Sequence, residues 1–167
     1  MVEEGILAED ESVELLDGEL LVTPPQGPSH AAVVSELGER LRNAYGPSCH
    51  VRTQCPLAGA SDSLPEPDLA VVRGKPRDDL TDHPTGAHVV LVVEVARTSQ
   101  AVDRRKVRAY AKIGVSVYWF LDLAARRLEV RADPEGEEYR LTRLFSESES
   151  VALPGTSTSW TVASLLP

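Results

Sequence analysis

Cysteine, basic charge in the first forty residues and long apolar runs are all scarce in this sequence. The chain has two cysteines in 167 residues, Cys49 and Cys55. They lie six positions apart in a segment that reads as extended, and at about 3.3 Å rise per residue their Cα atoms stand well outside disulfide range. The Cys-His-x4-Cys spacing is not a usual zinc pattern, and only His30, His83 and His88 remain as further histidine ligands, so buried thiols are expected rather than a structural metal. No apolar segment approaches the roughly 20 residues needed to cross a bilayer. The opening MVEEGILAEDE is acidic where a secretory signal is basic and then apolar, so a cytoplasmic protein without a membrane partner is expected.

No lysine or arginine precedes Arg40, and the formal net charge is −9. That argues against a protein that coats nucleic acid by long-range attraction. Basic residues nevertheless gather at Arg97, Arg104, Arg105, Lys106, Arg108 and Lys112, which reads either as a solvated helix face or as a modest basic patch. The length and a hydrophobic fraction of 42% suit one domain over residues 1–167 with a real core. There is no internal repeat, low-complexity segment or interior linker.

What is present is organised around residues 89–111, VVLVVEVARTSQAVDRRKVRAYA. Residues 89–96 are rich in β-branched side chains and apolar on both pleat faces except at Glu94, as in a central strand covered on both sides. Thr98 or Ser99 offers an N-cap, and residues 100–113 follow helical periodicity. Val102, Lys106, Ala109 and Ile113 share one stripe, whereas Arg104, Arg105, Arg108 and Lys112 lie on another arc. A strand glutamate and a lysine on the core side of the next helix are either a buried or snorkelling ion pair or a site.

The other elements follow in order. Residues 13–22 form two apolar runs around Asp17-Gly18, a type I′ hairpin signal flanked by Glu14 and Glu19. A breaker at 23–28 leads to a helix capped by Ser29 and running to Tyr45, with Ala31, Val34, Leu37, Leu41 and Tyr45 at helical spacing and His30 in the first turn, where a capping or packing role is the plain reading. Residues 50–57 read as a strand and 58–65 as a loop. A short buried strand then carries Asp68 at its entrance, just after a proline that cannot donate to a ladder. The loop 74–86 is placed to overhang the acids. Strands are expected at 115–123, 128–131, 138–144 and 151–154, with a helical turn at 160–166. The whole is an α/β protein, a mixed central sheet flanked by helices. If 68–73 and 89–96 are neighbours, Asp68 and Glu94 meet only when the two strands run antiparallel or the end of the second bends back.

Two carboxylates on adjacent strands suit a hard divalent cation. A lysine aimed at the same place can polarise water or stabilise charge developing on phosphate, and Glu14 could add a third carboxylate. The trio describes metal-assisted phosphodiester hydrolysis. Pro67-Asp68 followed by Glu94 and a lysine resembles the PD-(D/E)XK nuclease pattern, except that Ala96 stands where the pattern has lysine, so Lys106 would replace it from the helix. More closely, ELLDGELLVTPP, His30, PDLAVV, LVVEVA, DRRKVRAYAKIGV and YWFLDL resemble, in order and spacing, the Uma-type family of bacterial restriction-endonuclease-like proteins.

The resemblance implies a restriction-endonuclease-like core with an N-terminal hairpin, Asp68 and Glu94 as ligands of Mg or Mn, Lys106 as catalytic lysine and Glu14 as a supporting acid. It further implies a nucleic-acid substrate, DNA foremost, and a homodimer, since cutting both strands of a duplex is easiest for a two-fold pair. His30 and Tyr110 match positions the family often fills, with no role evident from the sequence. Residues 97–100 depart from the Ser-Pro-Ser-Thr type of sequence usual there. A catalytically degenerate nuclease fold kept as a binding or scaffold module, and a phosphoesterase acting on small substrates, stand as alternatives.

Overall fold

The computed structural model describes residues 13–22, 26–96 and 100–167, without the side chains of 100–103. The cap expected at Thr98 or Ser99, the segment 97–99 and part of the breaker after β2 lie outside the described residues, as does the side chain of Val102. Asp17 and Gly18 both take positive φ, 51° and 78°, and close the hairpin of β1 (Val13–Leu16) and β2 (Glu19–Val22) as a type I′ turn does. Helix α1 (Pro28–Tyr45) starts from Gly27 with Pro28 in its first turn. Ser29 is therefore inside the helix rather than its cap, because proline's fixed φ is already helical. The helix stops at Gly46, whose φ is 60°.

Strand β3 (Cys49–Thr53) is shorter than expected because Gln54 takes a φ of 51° and breaks the ladder. Its Cys49, like Cys55 beyond it, is free and half-buried rather than buried. Then come β4 (Leu69–Arg73), β5 (Val89–Ala96), α2 (Gln100–Lys112), β6 (Val117–Asp122), β7 (Arg127–Glu135) and β8 (Glu138–Ser146), the last two longer than the sequence suggested. A small hairpin of β9 (Ser150–Ala152) and β10 (Ser159–Thr161) precedes a 3₁₀ turn at Val162–Leu165. Trp160 thus lies in a strand paired with Val151 and not in a helical turn.

The main sheet has the order β3-β4-β5-β6-β7-β8. Every neighbouring pair is antiparallel except β5 and β6, which α2 joins, as a parallel pair requires a crossover. Alternation divides the core between the two faces. Leu69, Val71, Leu91, Val93 and Val95 pack with Val33, Leu37 and Leu41 of α1, whereas Ala70, Val72 and Val92 pack with Tyr110, Ala111 and Tyr118 on the α2 side. Val71 pairs with Leu91 and Val72 with Val89, so Val90 is the extra residue of a bulge. The loop after β4 passes directly against the end of α2: a Cβ on Gly86 would stand 2.0 Å from the Ile113 carbonyl oxygen, and only glycine fits.

Antiparallel pairing of Leu69 with Val93 sets Asp68 beside Glu94, which settles how the two acids meet. The same pairing puts the loop 74–86 at the far ends of these strands, so it does not overhang the acids. No helix among the described residues is long and apolar enough to cross a membrane.

Candidate active site

Glu94 shares its pleat face with Val92 and therefore points toward α2. There, Lys106 and Tyr110 stand one turn apart on the helix face turned to the sheet, and Glu94 Oε1 receives both the Lys106 ammonium, at 3.1 Å, and the Tyr110 hydroxyl, at 2.5 Å. Lys106 Nζ also meets Glu14 Oε1 at 2.8 Å and the Glu66 carbonyl oxygen at 3.1 Å. These three acceptors match the three N–H donors of an ammonium.

Glu14 arrives because it shares a strand face with fully buried Leu16. The hairpin that carries it is fastened to the loop before β4, where Gly18 N donates to Asp62 O at 2.7 Å, Asp17 N to Ser63 Oγ at 3.0 Å and Leu64 N to Leu15 O at 2.8 Å. Asp68 Oδ2 accepts from the Val95 amide at 2.8 Å and from His30 Nε2 at 3.0 Å, and His30 Nδ1 lies 2.8 Å from Gln26 Oε1. Glu14, Asp68, Glu94 and Lys106 are all buried, so the structure brings the four expected residues into one polar cluster.

Sequence reasoning passed over the Glu66 carbonyl and Gln26. Glu66 sits inside the quoted Glu-Pro-Asp run, but a main-chain acceptor leaves no trace in residue identity. Tyr110, four positions after Lys106, stands in the sequence reading only as a family position without a role. The basic arc of α2 is largely engaged by acids: Arg105 meets Glu19 at 2.7 Å, Arg108 meets Glu137 at 2.6 Å and Lys112 meets Asp62 at 2.7 Å. The arc is therefore a solvated, paired face rather than an open patch.

Burial pushes the Glu94 carboxyl up to about 8, helped by Asp68 and Glu14 and opposed by Lys106 and the Tyr110 hydroxyl. Burial also draws the Lys106 ammonium down, yet Glu94 and Glu14 more than offset it and hold the lysine above its ordinary range. The hydrogen bond to Asp68 raises His30 despite partial burial. Burial and then Glu14 raise Glu66.

Three carboxyl groups, those of Glu14, Asp68 and Glu94, thus share a buried space with one ammonium, and each of Asp68 and Glu94 has one oxygen held by protein donors. Among the described residues no group of three or more Asp, Glu, His or Cys side chains is placed to hold a metal ion. The donor set fits a hard cation that keeps several waters and takes one or two carboxylates.

The chain is thus an α/β protein with a mixed six-stranded sheet, two acids side by side on neighbouring strands and a lysine delivered from the crossover helix. A model of the Uma2 family, described as "Putative restriction endonuclease", matches residues 3–165, and the chain belongs to that family. The crystal structure of a "putative nuclease belonging to DUF820" from Anabaena variabilis ATCC 29413 matches with a TM-score of 0.79 and 18% identity, over 98% of this chain and 94% of that one. At that identity the likeness speaks for the fold. No curated protein matches the chain.

Proposed function

We propose that this protein is a divalent-metal-dependent endonuclease that hydrolyses nucleic-acid phosphodiester bonds, DNA foremost. Asp68 and Glu94 hold Mg or Mn, Lys106 is the catalytic lysine and Glu14 is its supporting acid. The observation that carries this reading is the convergence of a buried ammonium with the buried carboxylates of Glu14 on β1 and Glu94 on β5, with the buried Asp68 beside Glu94. A bound cation supplies Lewis-acid stabilisation of phosphate charge and a more acidic water.

The chain's own residues do the rest. Lys106, held above its ordinary range, stays an ammonium, so it serves as a charge and hydrogen-bond donor and not as a base. Its donors are matched by Glu14, Glu94 and the Glu66 carbonyl, so contact with a phosphate oxygen requires one of them to yield. Glu14, on the separate hairpin, is the partner whose release leaves the central strands undisturbed.

The test is incubation with supercoiled plasmid, single-stranded DNA and RNA in Mg and in Mn, for the wild type and for Asp68→Ala. We expect metal-dependent cleavage reduced at least about 100-fold in the variant, the scale on which loss of a principal electrostatic group slows an enzyme. No cleavage by the wild type on any of these polymers sinks the proposal. Linear rather than nicked plasmid as first product supports two centres acting as a dimer.

The acid-engaged face of α2 favours a second reading, a degenerate nuclease fold serving as a binding module. Wild type and Asp68→Ala alike in metal uptake and cleavage, while both hold a partner, would decide for it.

A further inference from the structure

Two residues that the proposed chemistry leaves idle each touch one of its carboxylates, and they come from different helices. His30, in the first turn of α1, donates from Nε2 to Asp68 Oδ2 at 3.0 Å, and the Val95 amide reaches the same oxygen at 2.8 Å. Tyr110, on α2, donates to Glu94 Oε1 at 2.5 Å, the oxygen that also takes Lys106. Among the described residues no hydrogen bond reaches Asp68 Oδ1 or Glu94 Oε2. In both carboxylates, then, two donors fix one oxygen and none of the described residues donates to the other.

Packing holds the Tyr110 donor in place, and a second hydrogen bond orients the half-buried His30 ring. The Tyr110 side chain is fully buried and stacks on Tyr118 with ring centroids 5.5 Å apart, and Tyr118 stacks in turn on Tyr139 at 6.3 Å. The other ring nitrogen of His30 is fastened to Gln26 at 2.8 Å. Fixing one carboxylate oxygen from a rigid support fixes the torsion that aims its twin, the role that outer hydrogen bonds play around metal ligands.

We propose that His30 and Tyr110 are positioning residues: each clamps one oxygen of Asp68 or Glu94, so that Asp68 Oδ1 and Glu94 Oε2 are presented together to a divalent cation. This rests on the metal-dependent reading above. A purely structural role would have Tyr110 and His30 using the carboxylates only as acceptors for their own ring donors, with no consequence for metal affinity.

Calorimetric titration of the full chain with MnCl2 separates the two, using wild type, Tyr110→Phe, His30→Leu and His30→Gln, each checked for fold by circular dichroism and melting temperature. Tyr110→Phe keeps the ring stack and removes only the donor; His30→Gln keeps an N–H that can reach Asp68. We expect the manganese dissociation constant to rise about 10-fold or more in Tyr110→Phe and His30→Leu, with His30→Gln recovering most of the loss. Folded Tyr110→Phe and His30→Leu that bind manganese as tightly as wild type overturn the positioning role while leaving the metal reading intact. If His30→Leu does not fold, Tyr110→Phe alone decides. Wild type that takes up no manganese overturns the metal reading and this inference with it.

Discussion

Glu94 is a carboxyl that burial has pushed up to about 8, whereas in an unfolded chain a glutamate titrates near about 4.3. Between those values the folded protein holds a proton that the unfolded chain has released. Stability of the metal-free protein is therefore independent of Glu94 below the window, falls as pH rises through it, and has lost the full amount above about 8. His30, raised above its ordinary value, contributes stability that is present below that value and lost as pH rises through the folded one, so it acts in the same direction. Lys106 is raised as well, and its contribution is lost only above the ordinary lysine range, outside this window. The melting temperature of metal-free wild type should drop between pH 5.5 and 8.5 (a range set around roughly these pKa values), and Glu94→Gln should drop less. Equal slopes in the two proteins would show that Glu94 does not titrate there. At this scale the sequence was informative where a charge interrupted an apolar pattern, as at Glu94 and Lys106. It was silent on the Glu66 carbonyl and Gln26, because a backbone acceptor and a loop amide disturb no periodicity.

Elements became legible in proportion to their length and regularity. The Asp17-Gly18 hairpin, α1, β5 and α2 each carry a period or a turn signal, and the structure contains all four. How the hairpin docks was hidden, since Ser63 and Asp62 hold it from a loop of small polar residues 46 positions away in the Ser63 case. Of the helical turn expected at 160–166, the structure has 162–165 as a 3₁₀ turn, whereas Trp160 and Thr161 belong to β10, whose three residues are too few to set a period. The packing of the β4–β5 loop on α2 depends on one atom-scale fit. Gly86→Ala would place a methyl 2.0 Å from a main-chain oxygen at the end of α2, where no side chain can give way. We expect a loss of about 3 kcal/mol, toward the upper end of overpacking costs, read as a lower denaturation midpoint. The site lies at the opposite end of the strands, so metal affinity of the folded variant should be unchanged. A variant as stable as wild type would show that this loop lies off the helix in solution.

For the whole molecule the question is how a chain of net charge −9 approaches a polyanion. Arg105, Arg108 and Lys112 line the exposed side of the helix that delivers Lys106, but Glu19, Glu137 and Asp62 sit against them. Exposed pairs of this kind are individually weak, so a phosphate can displace the acid. Each acid is nevertheless a resident counterion, and displacing it releases less salt than a bare cation would. On the proposed function, binding to duplex DNA should therefore depend only shallowly on salt. Exchanging the three acids for amides, as Glu19→Gln, Asp62→Asn and Glu137→Gln on a cleavage-deficient Asp68→Ala background, frees the cations. If nucleic acid runs along α2 to reach Lys106, the slope of log affinity against log salt should steepen by up to about 3, at roughly 0.9 for each phosphate contact, and affinity at low salt should rise. Fluorescence anisotropy over a salt series measures both. An unchanged slope would place the polymer's path on another side of the carboxylate cluster, with α2 serving only to hold the lysine.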